Sequence, residues 1–347
     1  MEQRFSDFVE TRPEILAHHY GEAAIADKAI TYWHLAGKSS VAKSAVHEAT
    51  AQLRRGLSLL DGLPETRERN QLELDIHVTL TTALMEGKGY ANPETLAALE
   101  RANRLVTETG AVGTPVHFFV LYGLWISNLT GGAIAAALEH ATNFLSSAQS
   151  QPSSGPLLMG HRALAQSLIF GGDYRAALAH LETAASLYRP DEHRDSALHY
   201  GQDIGVSALV YLYWVLWHCG YPDRSPRAAE RALALSRQLG HAHTLAHALA
   251  LAGIAAVFAR DVANVSGRTR GGNDNADFYH PQQHSQIRHS LRWLGERFAD
   301  LEGQLMCICY SAMLRSAFFV ISQNRVHLPR RHITAQFFGP RVHFRYF

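Results

Sequence analysis

The sequence predicts an all-α solenoid of about six antiparallel helix pairs, and three observations carry that expectation. A unit of roughly 34 residues recurs, the period of a stacked array of paired helices. Over the first 260 residues Ala, Leu, Glu, Gln and Arg are abundant, and these side chains lose little rotamer freedom in a helix. Short Gly-containing segments, some followed by Asp or Asn, fall where one helix must stop and the next be capped.

The elements follow in chain order. Residues 1–13 are polar and read as a flexible N-terminus ahead of a repeat domain at 14–261. Leu16, Ala17 and Tyr20, then Ala29, Trp33 and Ala36, have the spacing of a first pair, with a shortened, overlapping unit around Ala49 and Leu53. Residues 64–69 form an inter-pair joint. Residues 66–109 read as a longer hairpin turned at Gly87-Lys88-Gly89, with Asn92 as cap and Pro93 at the first helical position, where a missing N–H costs nothing. Residues 114–148 pair around Gly131-Gly132, and 149–155 is a polar loop.

The clearest copy is 158–190. Leu164, Ala165 and Leu168 mark its first helix, Gly171-Gly172-Asp173 its turn, and Tyr174, Ala177, Leu181 and Ala184 its second helix. Small residues let two helices approach closely while the leucines fill the space around them. Those positions match the tetratricopeptide (TPR) pattern. A further copy at 206–236 has Leu212 and Leu216, the turn Gly220-Tyr221-Pro222-Asp223, and Ala229 with Ala232. It carries Ser225 where Ala is usual, and Pro226 falls in a first helical turn.

Composition narrows the function classes. The formal net charge is +1, but residues 262–347 hold 11 Arg against 5 acids, which leaves the repeat body mildly acidic. An acidic body offers no continuous track for nucleic acid. Three cysteines, Cys219, Cys307 and Cys309, make no disulfide framework and fit a reducing, cytoplasmic setting. The acidic start, with Glu2, Asp7 and Glu10, is not that of an export signal. The long uncharged stretch 204–222 contains Ser207, His218, Gly and Pro, so it reads as a buried helix and no membrane span is expected.

Three strings go beyond a generic repeat: LAHHYGEAAIADKAITYWHLAG (16–37), LRRGLSLLDGLPETRERNQLELDIHVTLTTALMEGKGYANPE (53–94) and HRDSALHYGQDIGVSALVYLYWVLWHCGYPDR (193–224). They resemble the C-terminal TPR region of large bacterial signalling proteins that join a class III adenylate cyclase domain and a P-loop ATPase domain to such an array. The resemblance implies a non-catalytic scaffold for protein–protein interaction, with a cyclase or ATPase as a candidate partner. An inactive portion of such an enzyme is the alternative, and a metal- or nucleic-acid-binding module, through His243 and His247 or the basic tail, is a third and weaker one. The catalytic motifs of that family do not occur. Ala36-Gly37-Lys38-Ser39-Ser40 ends like a phosphate-binding loop, but Tyr32 stands where the upstream Gly belongs and no strand precedes it. No cofactor is expected.

Near Asp261 the resemblance and the periodicity stop. Residues 262–275 are rich in Gly, Asn, Ser and Arg, weak helices are expected over 290–299 and 305–320, and 326–347 has no period. The basic tail 262–347 reads as partly disordered and as an altered or out-of-frame ending, against the competing reading of a small basic appendage.

Candidate chemistry is sparse. His243 and His247 stand one helical turn apart, a zinc-compatible spacing without a third ligand nearby. The adjacent His18 and His19 are weaker candidates, and Cys307 and Cys309 lack the usual two-residue gap. No catalytic or metal residue is assigned. The first helix of each repeat lines a concave groove suited to a protein or peptide ligand. Trp125, Gln166 and Trp214 occupy equivalent positions there, with Arg162, Phe170 and Trp217 nearby, residue types that suit peptide capture. Packing of the tryptophans between helices is the alternative.

Overall fold

Helix–turn–helix junctions repeat one backbone device. At Ala24, Ser44, Gly132, Gly172 and Gly220 the chain takes a positive φ. The next residue's N–H then reaches back five residues, as in Ile25 to Tyr20, Ala45 to Ser40, Ala133 to Asn128, Asp173 to Leu168 and Tyr221 to Leu216, each at 2.9 Å. This closes the last turn of the first helix and reverses the chain.

The computed structural model describes residues 12–252 except 194, 242, 246 and 250. The expectations for 1–11, the connector, the tail helices, Cys307, Cys309 and the basic ending therefore lie outside the described residues. Within them all regular structure is helical. In order these are α1 (Pro13–Glu22), α2 (Ala26–Ala42), α3 (Val46–Leu60), α4 (Arg67–Lys88), α5 (Pro93–Thr109), α6 (Pro115–Thr130) and α7 (Ile134–Ala148). There follow α8 (Ser154–Gly171), α9 (Tyr174–Leu187), the short α10 (Pro190–His193) and α11 (Ser196–Tyr200), α12 (Ile204–His218) and α13 (Ser225–Leu239). Residues 243–245, 247–249 and 251–252 are again helical.

Successive long helices pack as antiparallel hairpins, α2/α3, α4/α5, α6/α7, α8/α9 and α12/α13, and first helices also touch one another, α8 against both α6 and α12. This is the TPR-like α-solenoid. Its apolar core is continuous across hairpins. Ile30, Leu53, Ile76 and Leu84 join α2, α3 and α4, while Leu74, Leu99, Leu105, Val120 and Leu124 join α4, α5 and α6. Each such side chain contributes about 1.5–3 kcal/mol relative to exposure.

Caps fall as the sequence indicates. Asn92 accepts from the Glu94 N–H at 3.0 Å and Asp173 from the Ala176 N–H at 3.0 Å. Gly172, at φ +88°, ends α8. α1 packs against α2, which carries Ala29, Trp33 and Ala36, and α2 packs in turn against α3, which carries Ala49 and Leu53, so the overlapping units share α2. One detail differs. Gly87 lies inside α4 and not in the turn, which begins at Gly89 with φ +86°; a Cβ at Gly87 would come within 2.4 Å of Val46 Cγ1, so it serves close packing against α3.

Ionic crosslinks also pin neighbouring helices. Glu73 on α4 accepts from Arg101 of α5 through Nε (2.6 Å) and Nη2 (2.9 Å), and it also pairs with Arg69 one turn back.

Candidate functional site

The first helices α6, α8 and α12 form the interior of the C-terminal half of the array. On α12 every residue from Ile204 to Leu216 is buried, which explains the long uncharged stretch in sequence. Residues from these helices interlock through polar links. Trp125 Nε1 donates to Ser167 Oγ at 2.9 Å, Arg162 Nε to Ser207 Oγ at 3.1 Å, and Gln166 Nε2 to Tyr211 OH at 2.8 Å. The Arg162 guanidinium lies 5.2 Å from the Trp125 ring centroid and 5.9 Å from that of Tyr211. Such contacts favour a cation over an aromatic face.

Around this column several buried polar atoms have no hydrogen-bond partner: Gln166 Oε1, Trp214 Nε1 and His247 Nε2. They border a single ring. Tyr211 stacks near Trp214 at 6.3 Å and meets His247 edge-on at 6.5 Å, besides accepting from Gln166. Burial, with Arg162 and His243 adding repulsion, holds the His247 imidazole down to a pKa of about 3, so it is neutral at physiological pH. Burial also raises the neighbouring Tyr122 phenol far above its ordinary value.

The structure brings four of the six sequence-selected residues together but encloses them. Trp125, Arg162, Gln166 and Trp214 are buried. Phe170 is half-buried, and only Trp217, at 36%, is exposed. The reason is packing: Trp125, Arg162 and Gln166 each lie against the next first helix, on Ser167, Ser207 and Tyr211. Ser167, Ser207 and Tyr211 were not selected from sequence. Their signal was a spacing of 42 or 45 residues to a polar partner on the neighbouring repeat. Among the described residues His243 and His247 have no third ligand, and no cluster of three metal-binding side chains occurs. The Ala36–Ser40 string lies in α2, where a Cβ on Gly37 would fall 2.4 Å from Leu53 Cδ2, so that Gly also serves close packing.

An open depression of about 570 Å³ lies among α1, α2 and α3, lined by Glu14, His18, His19, Trp33, Gln52 and Arg55 among others. The Arg55 guanidinium sits 5.2 Å from the Trp33 ring centroid, and His18 and His19 are exposed along one side. No described helix is long and apolar enough to cross a membrane.

Fold and site together define a TPR-like helical-repeat protein with a polar, aromatic column between its first helices. No family model matches the chain. An uncharacterised protein of Rhizobium meliloti (strain 1021) is 24% identical over 247 residues, 71% of this chain, and the chain spans only 24% of that protein's length. Among solved structures, the apo form of RapI superposes with a TM-score of 0.59 at 11% identity, covering 85% of this chain and 93% of RapI. The Rap conjugation gene regulator of plasmid pLS20, in complex with the Phr* peptide, gives a TM-score of 0.49 at 14% identity, over 88% and 76% of the two chains.

Proposed function

We propose that this chain is a non-catalytic scaffold that binds a peptide or a protein segment along its first-helix face. The observation that carries the reading is the side-by-side stacking of the first helices α6, α8 and α12, tied to one another by Trp125–Ser167, Arg162–Ser207 and Gln166–Tyr211. The solenoid architecture supports the same reading, because stacked repeats present an extended inner surface.

The resemblance of 16–37, 53–94 and 193–224 to the TPR region of cyclase/ATPase signalling proteins supports a partner in a system of that kind. That assignment rests on those strings alone. The second reading, that the chain is the repeat portion of a longer signalling enzyme and inactive by itself, is favoured by the match to only 24% of the Rhizobium protein.

Selection of a displayed random peptide library on the purified chain tests the scaffold. A convergent motif is expected, with binding lost in Gln166→Leu at unchanged helicity. Failure to enrich any sequence, or cyclic-AMP formation or ATP hydrolysis by the purified chain, would overturn it.

A further inference from the structure

We infer that His161 and His180 form a chelating site for a divalent transition-metal ion, copper or nickel, which would clamp the α8/α9 hairpin. His161 stands midway along α8 and His180 midway along α9. Their Nδ1 atoms meet across the hairpin at 2.9 Å, with the ring centroids 5.1 Å apart and the planes tilted by 37°. Both residues are half-buried, so water reaches the pair from the open side of the hairpin.

A neutral imidazole has one N–H and one lone pair, so an Nδ1–Nδ1 contact holds a single proton, donated by one ring to the other. Burial, with the charge of His180, keeps His161 below its ordinary pKa, and burial does the same for His180. Both rings are therefore neutral at physiological pH, the form that binds metals. An arriving ion takes both Nδ1 lone pairs, and the shared proton passes to the vacant Nε2 of the ring that held it. No proton is gained or lost, and each ring keeps one N–H. The separation selects the kind of ion. With metal–nitrogen bonds of about 2.0–2.1 Å, two nitrogens 2.9 Å apart subtend close to a right angle at the metal. That is the angle between adjacent ligands in the square-planar and tetragonal shells of copper and nickel, whereas a tetrahedral ion would hold the nitrogens ~3.4 Å apart. Such ions need no third side chain where water can complete the shell. His247 differs in this respect, because its Nε2 is buried.

The test is calorimetric titration of the full chain with nickel(II) and copper(II), with hydrogen exchange of the helix amides measured alongside. The chain has 21 histidines, so the site is identified by difference. The unaltered chain is expected to bind one ion that His161→Ala and His180→Ala each hold at least tenfold more weakly, while His243→Ala leaves its affinity unchanged. Because the ion binds the closed hairpin and not the open one, saturating nickel should slow exchange in α8 and α9 at least tenfold and leave α4 and α5 as they were. Electron paramagnetic resonance of the first copper bound should show two imidazole nitrogens. Metal binding that neither substitution weakens overturns the inference. So does exchange in α8 and α9 that saturating nickel leaves unchanged in the unaltered chain, a result that needs no variant and holds even where a substitution disturbs folding.

Discussion

Replacing Glu73 by Gln is expected to loosen the α4/α5 hairpin before any other part of the array. The Glu73 side chain is 9% exposed and is shared by Arg69, at 12%, and Arg101, at 28%. Removing one partner of a buried ion pair costs about 3–5 kcal/mol when the other charge stays buried. Arg101 is partly hydrated and also reaches Glu108 at 3.5 Å, so the loss here should be nearer ~2–3 kcal/mol. The assay is hydrogen exchange of the α4 and α5 amides, which isolates one hairpin in a chain whose repeats need not unfold together, with urea unfolding alongside. Protection of α4 and α5 should fall while that of α12 is unchanged. Burial pushes the Glu73 carboxyl upward, but the hydrogen bonds and charge of Arg101, with that of Arg69, outweigh it and hold the group below its ordinary value. Its contribution is therefore complete above the unfolded carboxylate range and is lost as pH falls through the lower folded value. The unaltered protein and the Gln variant should converge in acid. A Glu73→Gln protein within about 0.5 kcal/mol of the original, the range of ordinary surface substitutions, would refute this account.

Three further outcomes follow from geometry. Ser44, at φ +54°, holds a left-handed conformation that costs a non-Gly residue about 1–2 kcal/mol; Ser44→Gly should raise the melting temperature in calorimetry. A Cβ at Gly160 would stand 2.9 Å from the Leu145 Cα, which is backbone, whereas at Gly37 it would meet the flexible Leu53 side chain. Gly160→Ala should thus cost about 1–3 kcal/mol and more than Gly37→Ala in urea unfolding. Burial depresses the pKa of several histidines, His77 to about 4 and His247 to about 3, with His117, His140 and His218 also lowered. The unfolded chain takes up protons first below about pH 6.5, so stability falls as pH drops from there toward 4. His77→Leu should flatten the dependence of melting temperature on pH.

Helix content and most caps were legible because they rest on local chemistry, as at Asn92 and Asp173. The turns at Gly132, Gly172 and Gly220 announced themselves by residue type. Those at Ala24 and Ser44 have the same backbone without the Gly. Gly87 misled for the converse reason: it looks like punctuation, but Val46 on α3, distant in sequence, demands the missing side chain. In the candidate site, Trp125, Arg162, Gln166 and Trp214 stood out by chemical type. Their burial, and the roles of Ser167, Ser207 and Tyr211, depend on how far the next first helix slides across the last. A serine announces nothing in sequence until a guanidinium from another repeat arrives beside it.

The hydroxyl and amide links between first helices join residues 42 or 45 positions apart, from α6 to α8 and from α8 to α12. A stack tied only to its neighbours behaves mechanically like a spring of coupled leaves. Small rotations at each leaf add along the axis, so the inner surface can tighten around a ligand or open for it while every hairpin stays intact. Under load, such a chain would give way leaf by leaf, and the first interface to part would be the one with the fewest ties across it.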